Sequence, residues 1–263
     1  MSASSRPVVL VTGAARRLGR ANALDLAAHG FDVAVHYRGS AGDADATVAD
    51  LRALGASAQA FRVDLADEAA CRALVPAVAA HFGRVDAVVN NASIFEYDDP
   101  ATFSVAAMDK HWRANTAPAV LLSQALHAHL TGDGVDRPMR SGCVVNILDQ
   151  KLWNPNPDYF SYTLSKAALQ AATVMLAQAL APNVRVCGVA PGVTLLSGPM
   201  EAQEFASAHT MTPLQRSSTP EDIARTVRFL IESPAITGTT LLVDGGQHLT
   251  AQARDVLYLA KKN

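Results

Sequence analysis

Tyr162 and Lys166 stand four residues apart in the stretch YTLSK, within a long apolar segment that predicts a helix. Residues four apart share one helix face, so Lys166 is expected one turn from Tyr162. A cation there favours the phenolate and would lower the pKa of the tyrosine, which suits it to proton transfer near neutral pH. Tyrosine and lysine occur at this spacing on many ordinary helices, so the pair indicates a catalytic site only together with other residues.

An acidic residue, Asp149, ends the apolar stretch VVNILDQ thirteen residues before Tyr162. Val144–Leu148 predict a buried strand, so the carboxylate would lie where that strand ends. An ionised carboxylate only accepts hydrogen bonds and would repel negative charge that develops on a substrate oxygen. Asp149 therefore favours a substrate with N–H donors or a nitrogen to be protonated. The alternative is that Asp149 caps a turn before Trp153 and never contacts substrate.

A glycine turn near the start of the chain predicts a phosphate site. In VLVTGAARRLGRANALDLA an apolar strand passes through Gly13 into a helix that opens at Leu18 and Gly19. Gly13 permits a sharp turn, and Gly19 lets the helix approach the strand closely. The N–H groups of the helix start can then hold a pyrophosphate, which indicates a dinucleotide cofactor.

The end of the second predicted strand, VAVHYRGS, indicates which dinucleotide is bound. Enzymes that prefer NAD usually place an acid here for the ribose 2′-hydroxyl, whereas an arginine suits the 2′-phosphate of NADP. His36, Tyr37, Arg38 and Ser40 offer positive and hydrogen-bonding groups and no carboxylate. Asp43 comes later, where it more plausibly begins a helix. The chemistry favours NADPH over NADH.

Strand-like apolar runs alternate with amphipathic stretches along the whole chain, which predicts βαβ units and a parallel sheet covered on both faces. The predicted strands are Val8–Thr12, Asp32–Tyr37, Ala58–Val63, Ala87–Asn90, Cys143–Leu148, Val184–Val189 and Thr240–Val243. The predicted helices are Leu18–His29, Asp43–Leu54, Asp67–His81, Val105–Leu130, Tyr159–Leu180 and Pro220–Glu232. Residues 131–142 are predicted to be a surface loop, and residues 191–213 an active-site lid.

The composition excludes several classes of protein. A net charge of −2 over 263 residues gives no general attraction to nucleic acid or anionic membranes. Three widely spaced cysteines predict a reducing compartment, and neither they nor the eight histidines show metal-ligand spacing. The first apolar run is too short for a signal peptide and no segment approaches the length of a membrane span, so a cytoplasmic location is expected.

TGAARRLG, NNAS, Asn115, YTLSK and PGV occur in the order found in short-chain dehydrogenases/reductases, and the chain resembles that family over nearly its whole length. The resemblance implies one Rossmann-type doubly wound α/β domain over residues 1–263, with a seven-stranded, mostly parallel sheet in the order 3-2-1-4-5-6-7. It also implies that Lys166 holds the nicotinamide ribose and that Asn115 supports a proton-relay water. Further cofactor contacts are expected from Arg16, Arg17, Leu18, Asp64, Leu65, Asn91, Ala92, Ser93, Pro191, Gly192 and Val193.

Two departures from the family pattern make the chain resemble one branch of the family in particular. Most members have glycine where this chain has Arg17 and serine where it has Asp149, and both departures are similar to the pteridine reductase branch. In that branch the arginine lies near the phosphates and the pterin, an aromatic residue matching Phe95 stacks on the pterin, and the serine matching Ser93 bonds ligand or cofactor. Phe95 as plain core is the alternative.

The resemblance implies a reductase of dihydropterins that transfers hydride from NADPH to a ring carbon while Tyr162, linked to Asp149, protonates the nitrogen. Two other functions stay open: a general carbonyl reductase, and a catalytically silent NADPH-binding regulator. Asp149 and Arg17 count against the first, and retention of Asn115, Tyr162 and Lys166 counts against the second. Long apolar stretches around Asn115 and Lys166 predict burial beyond one sheet face, so a homotetramer is expected, as is common in the family.

Overall fold

Seven parallel strands form the centre of the molecule. A computed structural model of the chain describes residues 6–132, 141–197 and 200–260. The strands lie in the order β3-β2-β1-β4-β5-β6-β7, and every pairing is parallel. They are β1 Val8–Val11, β2 Asp32–Tyr37, β3 Ala58–Arg62, β4 Ala87–Asn90, β5 Gly142–Ile147, β6 Val184–Pro191 and β7 Thr240–Val243. The predicted fold class, strand positions and strand order are confirmed.

Alternate residues of the central strands bury opposite faces of the sheet. Val9 and Val11 of β1 pack into one apolar cluster, which also contains residues of the helices before and after β2. Val8 and Leu10 pack into a second cluster on the other face. Because a strand side chain points to alternate faces, a continuous run of valine and leucine serves both clusters at once.

Nine α-helices occur in the described part of the chain. They are α1 Arg17–Ala28, α2 Ala41–Ala53, α3 Glu68–Phe82, α4 Val105–His111, α5 Ala117–Thr131, α6 Phe160–Ala179, α7 Ala202–Thr210, α8 Pro220–Glu232 and α9 Val256–Leu259. Helix α7 lies inside residues 191–213, which the sequence pattern assigned to a loop. Most of the predicted loop at 131–142 lies outside the described residues. No helix in the described ranges is long and apolar enough to cross a membrane.

The prediction of one continuous helix over Val105–Leu130 is wrong in the middle of that range. A π-helical turn, Trp112–Thr116, separates α4 from α5. Pro118 follows this turn and has no N–H group to donate to the carbonyl of Ala114, so the regular ladder of hydrogen bonds cannot continue there. The turn places Asn115 against the start of α6, because Thr116 Oγ1 donates to the Ser165 carbonyl at 2.8 Å.

A buried hydrogen-bonded row joins the strands that carry the site. Asn90 Nδ2 on β4 donates to Asn146 Oδ1 on β5 at 2.8 Å. Asn146 Nδ2 in turn donates to Thr173 Oγ1 on α6 at 2.9 Å. The row ties α6 to the sheet beside the point where the strand order reverses, between β1 and β4, which is where doubly wound sheets bind ligands.

Candidate active site

A cavity of about 820 Å³ opens at the carboxyl ends of β1, β4, β5 and β6. Its lining contains the predicted phosphate turn, the end of β2 and the proposed catalytic side chains. The predicted site residues that line it are Gly13, Arg16, Arg17, Leu18, Gly19, His36, Tyr37, Arg38, Ser40, Asp64, Leu65, Asn91, Ala92, Ser93, Phe95, Asp149, Tyr162, Lys166, Pro191, Gly192 and Val193. Asn115 is not among the lining residues.

The phosphate turn depends on two glycines. Gly13 has a φ of +63°, which residues with a side chain rarely adopt. A Cβ on Gly19 would lie 2.2 Å from the Gly13 carbonyl oxygen and 2.6 Å from Asn91 Nδ2. Helix α1 begins at Arg17, and Arg16 at its N-cap makes no side-chain capping bond. The bare helix terminus beside a turn of this kind can bind an anionic phosphate.

His36 supports the turn as a neutral side chain. The Gly13 N–H donates to His36 Nδ1 at 3.0 Å, and His36 Nε2 donates to the Val63 carbonyl at 3.1 Å. Burial lowers the pKa of His36 to about 4, so the ring carries no charge at neutral pH. Among the groups predicted at the end of β2, His36 therefore contributes hydrogen bonds and not positive charge. Arg16 and Arg38, both exposed at the cavity, are the cations in this region.

Asn115 binds the loop that follows β4 through hydrogen bonds of both its amide oxygen and its amide nitrogen. Its Oδ1 accepts from the Ile94 N–H at 2.8 Å and from Ser93 Oγ at 3.1 Å. Its Nδ2 donates to the Ile94 carbonyl at 3.1 Å and to Ser165 Oγ at 3.0 Å. These contacts assign the side chain of Asn115 to positioning the Ser93 region rather than to a place in the cavity wall.

Tyr162 and Asp149 are joined directly. Tyr162 Oη donates to Asp149 Oδ2 at 2.8 Å, and the Lys151 N–H donates to Asp149 Oδ1 at 2.9 Å. Asp149 is also the N-cap of the 3₁₀ turn Gln150–Leu152. Asp149 therefore caps a turn, as the alternative predicted, and its second oxygen accepts from Tyr162 at the cavity; its contact with substrate stays a prediction.

The protonation of this pair differs from the sequence-based expectation. Burial raises the pKa of Tyr162 well above 10, and the neighbouring Asp149 charge raises it further. Burial also raises the pKa of Asp149. Burial lowers the pKa of Lys166 to about 8, and its Nζ donates to the Ile147 carbonyl at 2.7 Å. The expectation of a lowered Tyr162 pKa is therefore wrong, because burial and the adjacent Asp149 raise it.

Aromatic rings form one wall of the cavity beside Tyr162. Phe95 is 38% exposed, which excludes plain core packing. Its ring stacks on Tyr159 with centroids 3.9 Å apart and meets Tyr162 edge-on at 4.7 Å. Tyr159 and Trp153 do not line the cavity. Tyr159 instead supports Phe95 from behind, so that Phe95 presents the exposed ring.

Arg17 reaches the segment after β6. Its Nη2 donates to the Leu196 carbonyl at 2.8 Å and to Ser197 Oγ at 3.1 Å. Arg17 itself has a φ of 55°, unusual for a residue with a side chain. It therefore bridges the start of α1 and the wall formed by residues 194–197, at the edge of the same cavity.

Several cavity residues were not identified from the sequence. They include Gln150 and Lys151 after β5, and Gln247, Asp255, Val256 and Leu257 near the end of the chain. Thr194, Leu195, Ser197 and Met200 also line the cavity and belong to the segment 191–213 that was predicted as an active-site lid. Lys151 and Asp255 are 104 residues apart, and a lone lysine or aspartate carries no local motif. Within the described ranges, no group of three or more His, Cys, Asp or Glu side chains could hold a metal ion.

Comparisons with known proteins show similarity both to pteridine and dihydrofolate reductases and to acyl-carrier-protein reductases. A family model described as enoyl-(acyl carrier protein) reductase matches residues 13–248. Pteridine reductase 1 of Leishmania tarentolae is 34% identical and covers 93% of this chain and 97% of its own length. A 3-oxoacyl-(acyl-carrier-protein) reductase of Synechocystis sp. is also 34% identical, covering 94% and 98%. The structure of FolM alternative dihydrofolate reductase 1 from Brucella canis, complexed with NADP, matches with a TM-score of 0.87 at 40% identity, covering 95% of this chain and 96% of that one.

Proposed function

Because the chain belongs to the short-chain dehydrogenase/reductase family of NADPH-dependent oxidoreductases, we propose that its substrates are dihydropterins, which it reduces to tetrahydropterins at a ring C=N bond. The observation that carries this proposal is the hydrogen bond from Tyr162 Oη to Asp149 Oδ2. It couples a carboxyl group to the tyrosine, in a cavity that also contains a phosphate turn.

The residues present fit NADPH. Gly13 and Gly19 leave a cradle that a Cβ would fill, and no carboxylate stands at the end of β2 to favour a free ribose 2′-hydroxyl. Arg16 and Arg38 are exposed at that end of the cavity and would hold the 2′-phosphate. When bound, NADPH supplies the hydride.

The protein side chains handle the proton. Reduction of C=N places the hydride on carbon and requires one proton on nitrogen, so that the bond becomes CH–NH. Tyr162 keeps its proton at neutral pH because its pKa is raised, and burial shifts Asp149 toward its protonated form. Tyr162 supplies the proton to nitrogen, and Lys166 stabilises the phenolate that results.

The rest of the cavity suits a flat, polar heterocycle. The exposed ring of Phe95 offers a stacking surface, and Ser93 and Arg17 offer hydrogen bonds at the edge of the same space. A carboxyl oxygen of Asp149 can also accept a hydrogen bond from a ring N–H group. We assign Thr194, Leu195 and Ser197, which belong to the predicted lid segment and line the cavity, to the substrate wall.

Rates with different substrates test the proposal. NADPH oxidation is measured with dihydrobiopterin, dihydromonapterin and dihydrofolate side by side, and with a panel of ketones that includes a 3-oxoacyl thioester. We expect turnover with at least one dihydropterin and a lower kcat/KM for every ketone. Faster reduction of the ketones would favour the carbonyl reductase function, and tight NADPH binding without turnover of any substrate would favour a regulator.

Two variants test the assigned roles. Tyr162→Phe removes the proton donor, and we expect kcat to fall about 10²–10⁴-fold, the usual contribution of general acid–base catalysis. Asp149→Ser is expected to reduce dihydropterin turnover relative to wild type. NADPH binding, measured by nicotinamide fluorescence, should stay close to wild type in both. Undiminished dihydropterin reduction by Asp149→Ser would contradict the role of the carboxyl group.

We also propose that the protein is a homotetramer. Helix α6 exposes three large apolar side chains, Leu164, Val174 and Met175, of which Met175 is 63% exposed. Apolar groups that face solvent on a helix already packed against the sheet support burial by a second copy of the chain.

A further inference from the structure

A buried ion pair stands beside Asp149, outside the groups already assigned. Lys151 Nζ donates to the Asp158 carbonyl at 2.6 Å and to Asp255 Oδ2 at 3.0 Å. The side chain of Lys151 is 4% exposed and that of Asp255 is 18% exposed. A lysine so buried is found in proteins when its charge is compensated, and Asp255 provides that compensation here.

The end of the chain is anchored so that Asp255 reaches this position. We call residues 251–260 the C-terminal segment. Arg254 Nε and Nη2 donate to the Asp158 carboxylate at 2.9 and 2.8 Å. The Asp255 N–H donates to Asp158 Oδ2 at 2.7 Å, and the guanidinium of Arg254 lies 4.7 Å from the Tyr258 ring centroid. These contacts fix the backbone on both sides of the Asp255 side chain.

Lys151 connects this pair to Asp149. Its backbone N–H donates to Asp149 Oδ1 at 2.9 Å, while its side chain binds Asp255. Lys151, Asp255 and Asp149 all line the same cavity. The charged and titratable groups that face Asp149 are Lys151 from the turn after β5, Tyr162 and Lys166 from α6, Asp255 from the C-terminal segment, and Arg17 across the cavity.

We propose that Asp255 is a positioning residue that neutralises Lys151 and thereby keeps the proton on Asp149. Its catalytic meaning rests on the proposed function, in which Asp149 serves the protonation of the substrate. Without Asp255, the buried ammonium group of Lys151 would lose the carboxylate paired with it, two residues from Asp149, and it would favour the ionised form of Asp149.

The charges around Asp149 act in the directions that the proposal needs. Burial and the Asp255 charge raise the pKa of Asp149. The hydrogen bonds from Lys151 and Tyr162 lower this pKa, and so does the Lys151 charge. Removing the charge of Asp255 therefore lowers the pKa of Asp149, and removing the charge of Lys151 raises it. A charge in direct contact changes the pKa of a carboxyl group by about 1–3 pH units. The Asp255 charge is the smallest of the influences on Asp149, so its removal should shift the pKa by less than the Lys151 change does.

The experiment measures the proton on Asp149 directly. The C=O stretch of the protonated carboxyl is followed in pH-difference infrared spectra of the full chain and is assigned by its loss in Asp149→Asn. In Asp255→Asn we expect the titration midpoint of Asp149 to move to lower pH, by less than the about 1–3 pH units that a charge in direct contact produces. In Lys151→Gln, which keeps a hydrogen-bond donor without the charge, the midpoint should move to higher pH. The double variant should lie between the two, near wild type.

A matched control separates local from general charge effects. Asp50→Asn removes a carboxylate that is paired with Arg20 on the surface, and it should leave the Asp149 midpoint unchanged. A midpoint in Asp255→Asn that stays in place or rises would overturn the proposal. Lys151→Gln is an independent second test if Asp255→Asn does not fold, since an unchanged midpoint there would overturn it equally.

The pH profile of kcat then distinguishes the inference from the proposed function. If the infrared midpoint and the alkaline limb of the kcat profile move together in Asp255→Asn, both are supported. If only the infrared midpoint moves, the inference stands and the assigned role of Asp149 in turnover fails. A uniform fall in kcat with no change in either midpoint indicates a merely structural role for Asp255 and refutes the inference.

Discussion

Acidification should destabilise this protein through His36, which the fold holds in a neutral form. Burial lowers the pKa of His36 from its ordinary value of 6.5 to about 4. Between these two pH values the unfolded chain binds a proton at this residue and the folded chain does not. The free energy of unfolding therefore falls as the pH is lowered from 6.5 toward 4, and it recovers as the pH rises.

The size of the effect follows from the two pKa values. Each pH unit between them is worth about 1.4 kcal/mol, so His36 alone should remove about 3 kcal/mol of stability across the window. That loss is large beside the usual total of about 5–15 kcal/mol for a folded protein. In the folded chain Nδ1 is protonated only as the pH falls through about 4; that protonation removes the acceptor of the Gly13 N–H, so NADPH affinity should weaken there and not between pH 6.5 and 4.

The change in the free energy of unfolding with pH is measured by equilibrium unfolding in urea, at one protein concentration and at a series of pH values. Other carboxylates also contribute to acid instability, so the comparison is with His36→Asn, in which an amide oxygen can accept from Gly13 and nothing titrates. The wild type should lose about 3 kcal/mol more than His36→Asn between pH 6.5 and 4. Parallel pH dependence in the two proteins would refute the assignment of a buried neutral histidine.

Two further results are expected. Gly19→Ala places a methyl group 2.2 Å from the Gly13 carbonyl oxygen, so NADPH affinity should fall at least about 10-fold while the far-UV circular dichroism is retained; unchanged affinity would contradict the assigned phosphate turn. Sedimentation at micromolar concentration should give a tetramer, and Met175→Glu on the exposed face of α6 should dissociate it; a monomeric wild type would contradict the proposed assembly.

The strands and helices that carry the site could be predicted from residues close together in the sequence. Continuous apolar runs such as Val8–Val11 predict strands buried on both faces, and the structure places them in one parallel sheet. Gly13 and Gly19 were identifiable because only glycine tolerates the turn and the close approach of α1. The four-residue spacing of Tyr162 and Lys166 likewise places both on one face of α6.

Other features depend on residues that meet only after folding. The π-helical turn Trp112–Thr116 involves contacts of Asn115 with Ile94 and Ser165, which no period along the helix reveals. The apolar pattern of the sequence around it continues, and a continuous helix is what that pattern predicts. The cavity residues near the end of the chain, Gln247 and Asp255, were missed for the same reason.

The sequence by itself determined the sheet, the phosphate turn and the kinds of side chain available for proton transfer, because each of these follows from residues close together in the chain. The tertiary structure alone decided the protonation of those side chains. Burial of Tyr162 beside Asp149 reversed the expected effect of Lys166, burial made His36 neutral, and the C-terminal segment brought Asp255 to Lys151 from 104 residues away. Solvation and long-range charge depend on what surrounds a group, and that is known only when the chain is folded.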